Sequence, residues 1–292
     1  MAADTATGAT WALRDRVELE AGTIAVDVLG ADRPGVPVVL THGTPSWSYL
    51  WRHVAPPLAE HRPVYLWDLP GYGDSTGQAP SVAGHARTLA ALVDHWGLTG
   101  ERAPVLVGHD IGAGTVLRAH LVHGTPARAL VLADAAVLSP WVTNVASHVQ
   151  AHSDVYRTMP SHVFAELIAA HLRTTTYGEL RADVEQAYLE RYAGPEGQQR
   201  YIDQVVGFSD DDTRDVVARL GEITVPTHLI WGEHDTWLPT TAATALRDAI
   251  PGARLTTVAR AGHFLSEDAP DDVVRMLTEV LSTVRTTGAL SA

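Results

Sequence analysis

Residues Val107–Gly114 read VGHDIGAG, an aspartate with a glycine two positions to either side, between an apolar run and a helical pattern. The run before it, PVLVG from Pro104, has the length and composition of a buried strand, and GTVLRAHLVH after it has a helix-forming composition. A sharp strand-to-helix turn of the form Gly-x-Asp-x-Gly lifts its central side chain, Asp110, out of the sheet, and small neighbours let the backbones close on it. Alone, the pentapeptide reads better as an aspartate capping a helix. The rest of the chain decides between the two.

Moving outward, RVELEAG and TIAVDVLG form two alternating segments joined at glycine, a predicted hairpin. VPVVLTHG, PVYLWDLPG, PVLVGHD, ALVLADA, PTHLIWGEHD and RLTTVARAGH are then six short apolar runs, each ending in Gly, Asp or His. That is how buried parallel strands leave a sheet. Helical patterns lie between them: Val82, Ala86, Leu89, Val93 and Trp96 recur at steps of four and three, one face of a helix. The alternation predicts an α/β fold, a mostly parallel eight-stranded sheet with helices on both faces. It breaks at residues 138–219, which are rich in helix formers. The expected organisation is a core of residues 1–137 and 220–292, with 138–219 a helical lid inserted after strand six, over the edge where open α/β sheets bind ligands.

Composition excludes several classes. At 292 residues and 46% hydrophobic, the chain can bury a large core without staples, and with no cysteine it has neither disulfides nor thiol catalysis. A net charge of −13, its 21 basic residues all arginine, argues against a nucleic-acid surface. The start, MAADTATGATWALRDR, has no signal-peptide pattern, and no stretch reaches the length of a membrane span. The expectation is a soluble cytoplasmic protein without a membrane or nucleic-acid partner, monomeric or homodimeric.

Three more segments bear on Asp110. THGTPSWSYLWR, after the third strand, supplies a loop through His42, Gly43, Thr44 and Pro45 that can aim a backbone N–H at the elbow. Asp235 ends the seventh strand in GEHD, and His263 ends the eighth in ARAGHF. The order nucleophile, acid, histidine is that of a hydrolytic triad, each member leaving the C-terminal end of a strand.

With these pieces the chain resembles the α/β-hydrolase superfamily over nearly its whole length. The aspartate at the elbow resembles the branch of epoxide hydrolases, haloalkane dehalogenases and haloacetate dehalogenases. HGTPSWSYLWR is similar to the oxyanion segment of haloalkane dehalogenases, and DLPGYGDS (68–75) to a turn of the branch, where both the His-Gly pair and the Asp68 turn are structural. A carboxylate serves ordinary acyl transfer poorly but displaces a leaving group from an sp3 carbon. The resemblance implies that Asp110 forms an alkyl ester, that His263, oriented by Asp235, activates water against it, and that the N–H groups of Ile111 and Thr44 receive the oxyanion. It requires no cofactor and no metal, only a small apolar organic substrate and water. Asp134, at the end of strand six, is the alternative acid; GEHD fits the commoner position, leaving Asp134 as a turn or lid-hinge residue.

The leaving group is harder to read. Haloalkane dehalogenases hold halide with a tryptophan after the nucleophile and an asparagine or tryptophan in the loop, where this chain has Ile111 and Thr44, and haloacetate dehalogenases carry arginine where Ile111 stands. Arg118 lies too far along the helix. Epoxide hydrolases use lid tyrosines as proton donors, and Tyr156, Tyr177, Tyr188, Tyr192 and Tyr201 fall in the lid, Tyr201 where the family often places one. Tyr201, Trp141, His148 and Trp47 are the expected substrate contacts, with His152 a further donor. His148 and His152 also have a zinc-chelating spacing, but no third ligand accompanies them. The reading is therefore epoxide hydrolysis, with dehalogenation as its alternative and a non-catalytic ligand-binding protein of the same fold as a different class.

Overall fold

Apolar runs at the middle of the chain form the centre of one sheet. A computed structural model describes residues 11–78 and 81–284, so residues 1–10 of the stretch read above for a targeting signal lie outside the described residues. The strands are β1 (Asp15–Leu19), β2 (Gly22–Leu29), β3 (Val38–Thr41), β4 (Val64–Trp67), β5 (Val105–His109), β6 (Ala129–Ala133), β7 (Thr227–Gly232) and β8 (Arg254–Val258). Every residue of β3, β4, β5 and β6 is buried, because helices and neighbouring strands leave them no solvent face. The edges differ: β1 and β8 alternate or are largely polar, which blunts them against stray pairing.

The strand order is β1-β2-β4-β3-β5-β6-β7-β8. β1, β2 and β4 pair antiparallel, and every pairing from β4 across to β8 is parallel. The expected hairpin is β1 to β2, turning between Leu19 and Gly22. The chain reverses its direction of growth at β3, which lies between β4 and β5. Ligands of open α/β sheets bind in the crevice outside such a switch point.

Helices make the crossovers. α1 (Ala55–Ala59) joins β3 to β4, α2 (Val82–His95) joins β4 to β5, and α3 (Ile111–His123) joins β5 to β6. Ser81 caps α2 by accepting the Gly84 N–H at 3.1 Å. Between β6 and β7 run α4 (Asn144–Ala151), α5 (Ser153–Thr158), α6 (Ser161–Leu172), α7 (Ala182–Leu189), α8 (Gly194–Gly207) and α9 (Arg214–Val217). α10 (Thr240–Ala249) returns the chain to β8, and α11 (Leu265–Asp268) and α12 (Pro270–Thr283) follow. α12 buries Val273, Met276, Leu277, Val280 and Leu281, the stripe expected of an amphipathic helix.

One buried ion pair ties three parts of this architecture together. Arg52, in the turn after β3, donates from Nη1 and Nη2 to Glu267 at 2.6 and 2.7 Å, and Tyr188 of α7 donates its hydroxyl to the same carboxylate at 2.5 Å. Glu267 sits in α11, just past His263, so the helical segment and the histidine loop share an anchor. Glu267→Ala would strand the Arg52 guanidinium without its counter-charge, and is expected to lower the unfolding free energy by about 3–5 kcal/mol in a denaturant titration. The double variant Arg52→Met/Glu267→Leu should recover much of that loss; equal destabilisation by both would contradict a desolvation origin.

Candidate active site

Asp110 stands at the junction of β5 and α3 with φ 56° and ψ −125°, outside the regions an ordinary side chain prefers. Three glycines make the conformation possible. A Cβ on Gly43 would come within 2.4 Å of the Asp110 Cβ, one on Gly108 within 2.3 Å of the Gly112 carbonyl, and one on Gly112 within 2.4 Å of the His42 carbonyl. The loop after β3 therefore closes on the elbow, and the Thr44 N–H donates to Asp110 Oδ1 at 2.8 Å. The loop is itself braced: His42 Nε2 accepts the Leu69 N–H at 3.0 Å, and Asp68 accepts from the N–H groups of Ser48 and Asp74 at 2.8 and 2.9 Å. Burial lowers His42 to about 4, so its ring is a neutral acceptor.

β7 and β8 bring up the other two groups. His263 is fully buried; its Nδ1 lies 2.9 Å from Asp235 Oδ2 and its Nε2 3.5 Å from Asp110 Oδ2. Asp235 is oriented on its other oxygen by the N–H groups of Trp237 and Leu238, at 2.7 and 3.0 Å. Burial would raise Asp235, yet the His263 charge and these donors hold it below the usual carboxylate value. Burial would likewise strip His263 of its proton, and the Asp235 and Asp110 carboxylates outweigh it, holding the imidazole well above its ordinary value. Asp134, expected as a turn or lid-hinge residue, follows the end of β6; it is fully buried there, and its Oδ1 accepts the Gly232 N–H at 2.8 Å. The long-range pairing of β6 with β7 places it there.

Above Asp110 lies a small cavity of about 30 Å³, lined mostly by apolar groups. Thr44, Ile111, Trp141 and Tyr201, four of the residues singled out from sequence, line it. Two do not reach it. Trp47 is buried between the Tyr49 ring, stacked at 5.3 Å, and the Arg191 guanidinium, 3.9 Å over its face. His148 is exposed on α4, its ring against His152 at 4.6 Å and Tyr156 at 5.9 Å. Among the described residues no group of three or more potential metal ligands occurs. Arg118 pairs with Asp215 instead of approaching the elbow.

Sequence reasoning missed His171 and Trp237. His171, near the end of α6, lines the cavity and stacks on Trp237 at 4.3 Å, and Trp237 in turn stacks on His263 at 4.9 Å. Burial and the nearby His263 charge push His171 down to about 4, so it is neutral near pH 7. Trp237, two residues past Asp235 in HDTWLP, could have been suspected from its neighbour. His171 carries no local signal, since only the packing of α6 brings it in. Both cavity indoles spend their N–H elsewhere, Trp141 on Thr213 Oγ1 at 3.0 Å and Trp237 on Thr174 Oγ1 at 2.9 Å. Tyr201 packs edge-on to Phe164 and Tyr192, and its burial raises the phenol pKa, keeping the proton in place.

The loop bearing His263 is strapped to the helical segment. Phe264 N–H donates to the Thr175 carbonyl at 2.8 Å, and Asp268 accepts from the N–H groups of Gly262 and Tyr177, both at 2.8 Å. A Cβ on Gly262 would lie 2.7 Å from the Thr175 carbonyl, which explains the glycine before the histidine.

This elbow, loop and histidine arrangement on an eight-stranded sheet agrees with what the chain is similar to. The sequence profile of the alpha/beta hydrolase fold matches residues 36–270, and the protein belongs to that family of hydrolases. It is 28% identical to haloalkane dehalogenase 2 of Mycobacterium tuberculosis, across 84% of this chain and 87% of the relative. Epoxide hydrolase A of the same species is also 28% identical, across 89% and 94%. A crystal structure of an alpha/beta hydrolase fold protein from Burkholderia ambifaria matches with a TM-score of 0.86 and 32% identity, across 92% of this chain and 98% of that one.

The charges at the site make His263 a reporter. Its folded value lies above the unfolded value of about 6.5, so its interactions stabilise the fold fully below that pH and are lost as pH rises through the folded value. Asp110→Asn removes one of the two anions. The His263 ring should then titrate at lower pH by NMR, and the alkaline loss of stability should shrink; an unchanged titration would mean that Asp110 does not act on the imidazole.

Proposed function

We propose that the protein hydrolyses a small apolar epoxide to a diol through an ester on Asp110. The observation that carries this reading is the division of labour between the two carboxylate oxygens: Oδ1 is held by the Thr44 N–H, and Oδ2 faces His263 Nε2. Oδ2 attacks the epoxide carbon, forming the ester bond as the ring C–O bond breaks, and the ring oxygen takes a proton from a donor in the cavity. Oδ1 becomes the ester carbonyl oxygen. His263 Nε2 then takes a proton from water as that water attacks the Asp110 carboxyl carbon, and the negative charge builds on Oδ1, already against an N–H. The Ile111 N–H, one of the unused first-turn donors of α3, is the second group suited to it. Collapse expels the diol as its new oxygen, the former Oδ2, takes the proton from His263 Nε2, and the acid left on Asp110 returns a proton to the cavity donor.

Charge timing supports this sequence of steps. Asp110 is one of the two anions that hold the proton on His263. Esterification neutralises it, so the imidazole becomes a free base at the stage where a base is needed.

For the leaving group, the related haloalkane dehalogenase and epoxide hydrolase are equally identical to this chain, so similarity does not choose between them. The donors favour the epoxide. A halide wants indole N–H groups, and those of Trp141 and Trp237 are taken by Thr213 and Thr174. An opening epoxide wants a proton, and Tyr201 supplies one, with the neutral His171 imidazole as a second N–H donor lining the same cavity. The helical segment over the site acts as the lid, and a cavity of about 30 Å³, room for little more than water, means that it must open to admit the substrate.

Three measurements test the reading. His263→Ala should be alkylated at Asp110 and stall, giving a stable mass adduct; turnover by this variant, or an adduct on another residue, would remove the ester from the mechanism. A single turnover in heavy-oxygen water should leave the diol unlabelled and mark Asp110, whereas label in the diol would mean direct attack by water. Tyr201→Phe should slow epoxide alkylation by about 10- to 1000-fold while sparing ester hydrolysis. Unchanged alkylation, with faster turnover of a matched bromide, would make the protein a dehalogenase. A ligand that raises the melting temperature without being consumed would make it a binding protein.

A further inference from the structure

A third carboxyl group stands behind the site, and the mechanism above does not use it. Asp134 ends β6 with φ 40°, a left-handed conformation uncommon outside glycine, and is fully buried. Its N–H donates to the Ile230 carbonyl at 3.0 Å and its Oδ1 accepts the Gly232 N–H at 2.8 Å, so it is seated on the exit of β7. Asp235 closes that exit, its own N–H bonded to the Gly232 carbonyl at 3.2 Å, so both aspartates are tied to Gly232, Asp134 through the Gly232 N–H and Asp235 through the Gly232 C=O. Asp134 Oδ2 is buried and receives no N–H or O–H from the described residues.

Counting donors decides where a proton must sit. Asp235 receives three, from the Trp237 and Leu238 N–H groups and from His263 Nδ1. Asp134 receives one. The charged groups facing Asp134 are Asp235 and, beyond it, His263, whose charge already serves Asp235 and Asp110. Two neighbouring carboxylates away from water cannot both stay ionised without a cation each, and the proton goes to the one with fewer donors.

We propose that Asp134 is a positioning residue: a carboxylic acid that keeps its proton and donates it from Oδ2 to Asp235, holding that carboxylate in the orientation His263 requires. The directions of the two carboxyl groups agree, Asp134 held well above the usual range by burial and the Asp235 charge, Asp235 below it. The proton is shared along a line that runs Asp134, Asp235, His263, Asp110. By drawing charge density from Asp235, the Asp134 O–H also restrains the affinity of His263 for its proton.

The test uses the full chain and needs no substrate. At neutral pH the infrared spectrum should contain the carbonyl stretch of a buried protonated carboxyl group, slow to shift in heavy water, and Asp134→Asn should abolish it. A spectrum without that band, or one in which the band survives Asp134→Asn, overturns the proposal. Asp134→Ala removes the donor, and His263 should then hold its proton to higher pH by about one unit, read by NMR. Asp134→Asn, whose amide can donate to Asp235 and accept from Gly232, should restore the wild-type titration. If Asn and Ala shift His263 alike, Asp134 acts by ionised charge and not by its O–H. Should Asp134→Ala fail to fold, the infrared comparison with Asp134→Asn still decides.

Discussion

The approach of the β3 loop to the β5 elbow, through glycines at positions 43, 108 and 112, is the constraint on which the site depends. Without it the Thr44 N–H could not reach Asp110 Oδ1 at 2.8 Å, and the two carboxylate oxygens would be equivalent. Once one oxygen is held, the other is left facing His263 Nε2 at 3.5 Å. The strained φ of Asp110 is maintained by bonds on both sides: its N–H to the Ala133 carbonyl and its own carbonyl to the Ala113 and Ala136 N–H groups. The backbone, over-determined here, spends its hydrogen bonds on orientation.

Charge is arranged around that geometry with equal economy. Asp110, Asp235 and Asp134 crowd one imidazole, and burial makes every unbalanced charge expensive. Removing the charge of Asp110 or Asp235, or the O–H proposed for Asp134, would change the affinity of His263 for its proton.

The sheet was legible because its central strands are buried on both faces and therefore read as continuous apolar runs ending in Gly, Asp or His. Asp110, Asp235 and His263 were legible for the same reason, since a strand end places a side chain at the sheet edge whatever surrounds it. The helical segment was not. Its amphipathic helices tell which residues are buried, not against what, so His148 was expected at the cavity and His171 was passed over. Trp47 is claimed by Tyr49 and by Arg191 from the far side of the chain, a contact no local pattern announces. Asp134 does follow the end of β6, but its burial comes from β7, almost a hundred positions later.

The strap between residues 174–178 and the His263 loop makes the two flanks of the helical segment unequal. On the Thr175 side, the segment shares backbone hydrogen bonds with Phe264 and Gly262 through the Thr175 carbonyl and Asp268, so swinging it outward would carry the base away from Asp110. On the other side, Trp141 and Phe208 meet ring to ring over the cavity without such a tie to the histidine. The tie to the His263 loop is therefore one-sided: it lies at residues 174–178 and not at the Trp141 flank. Slow amide exchange at Phe264, alongside faster exchange in α4, would be the mark of that asymmetry; exchange at equal rates would mean the segment moves as one piece.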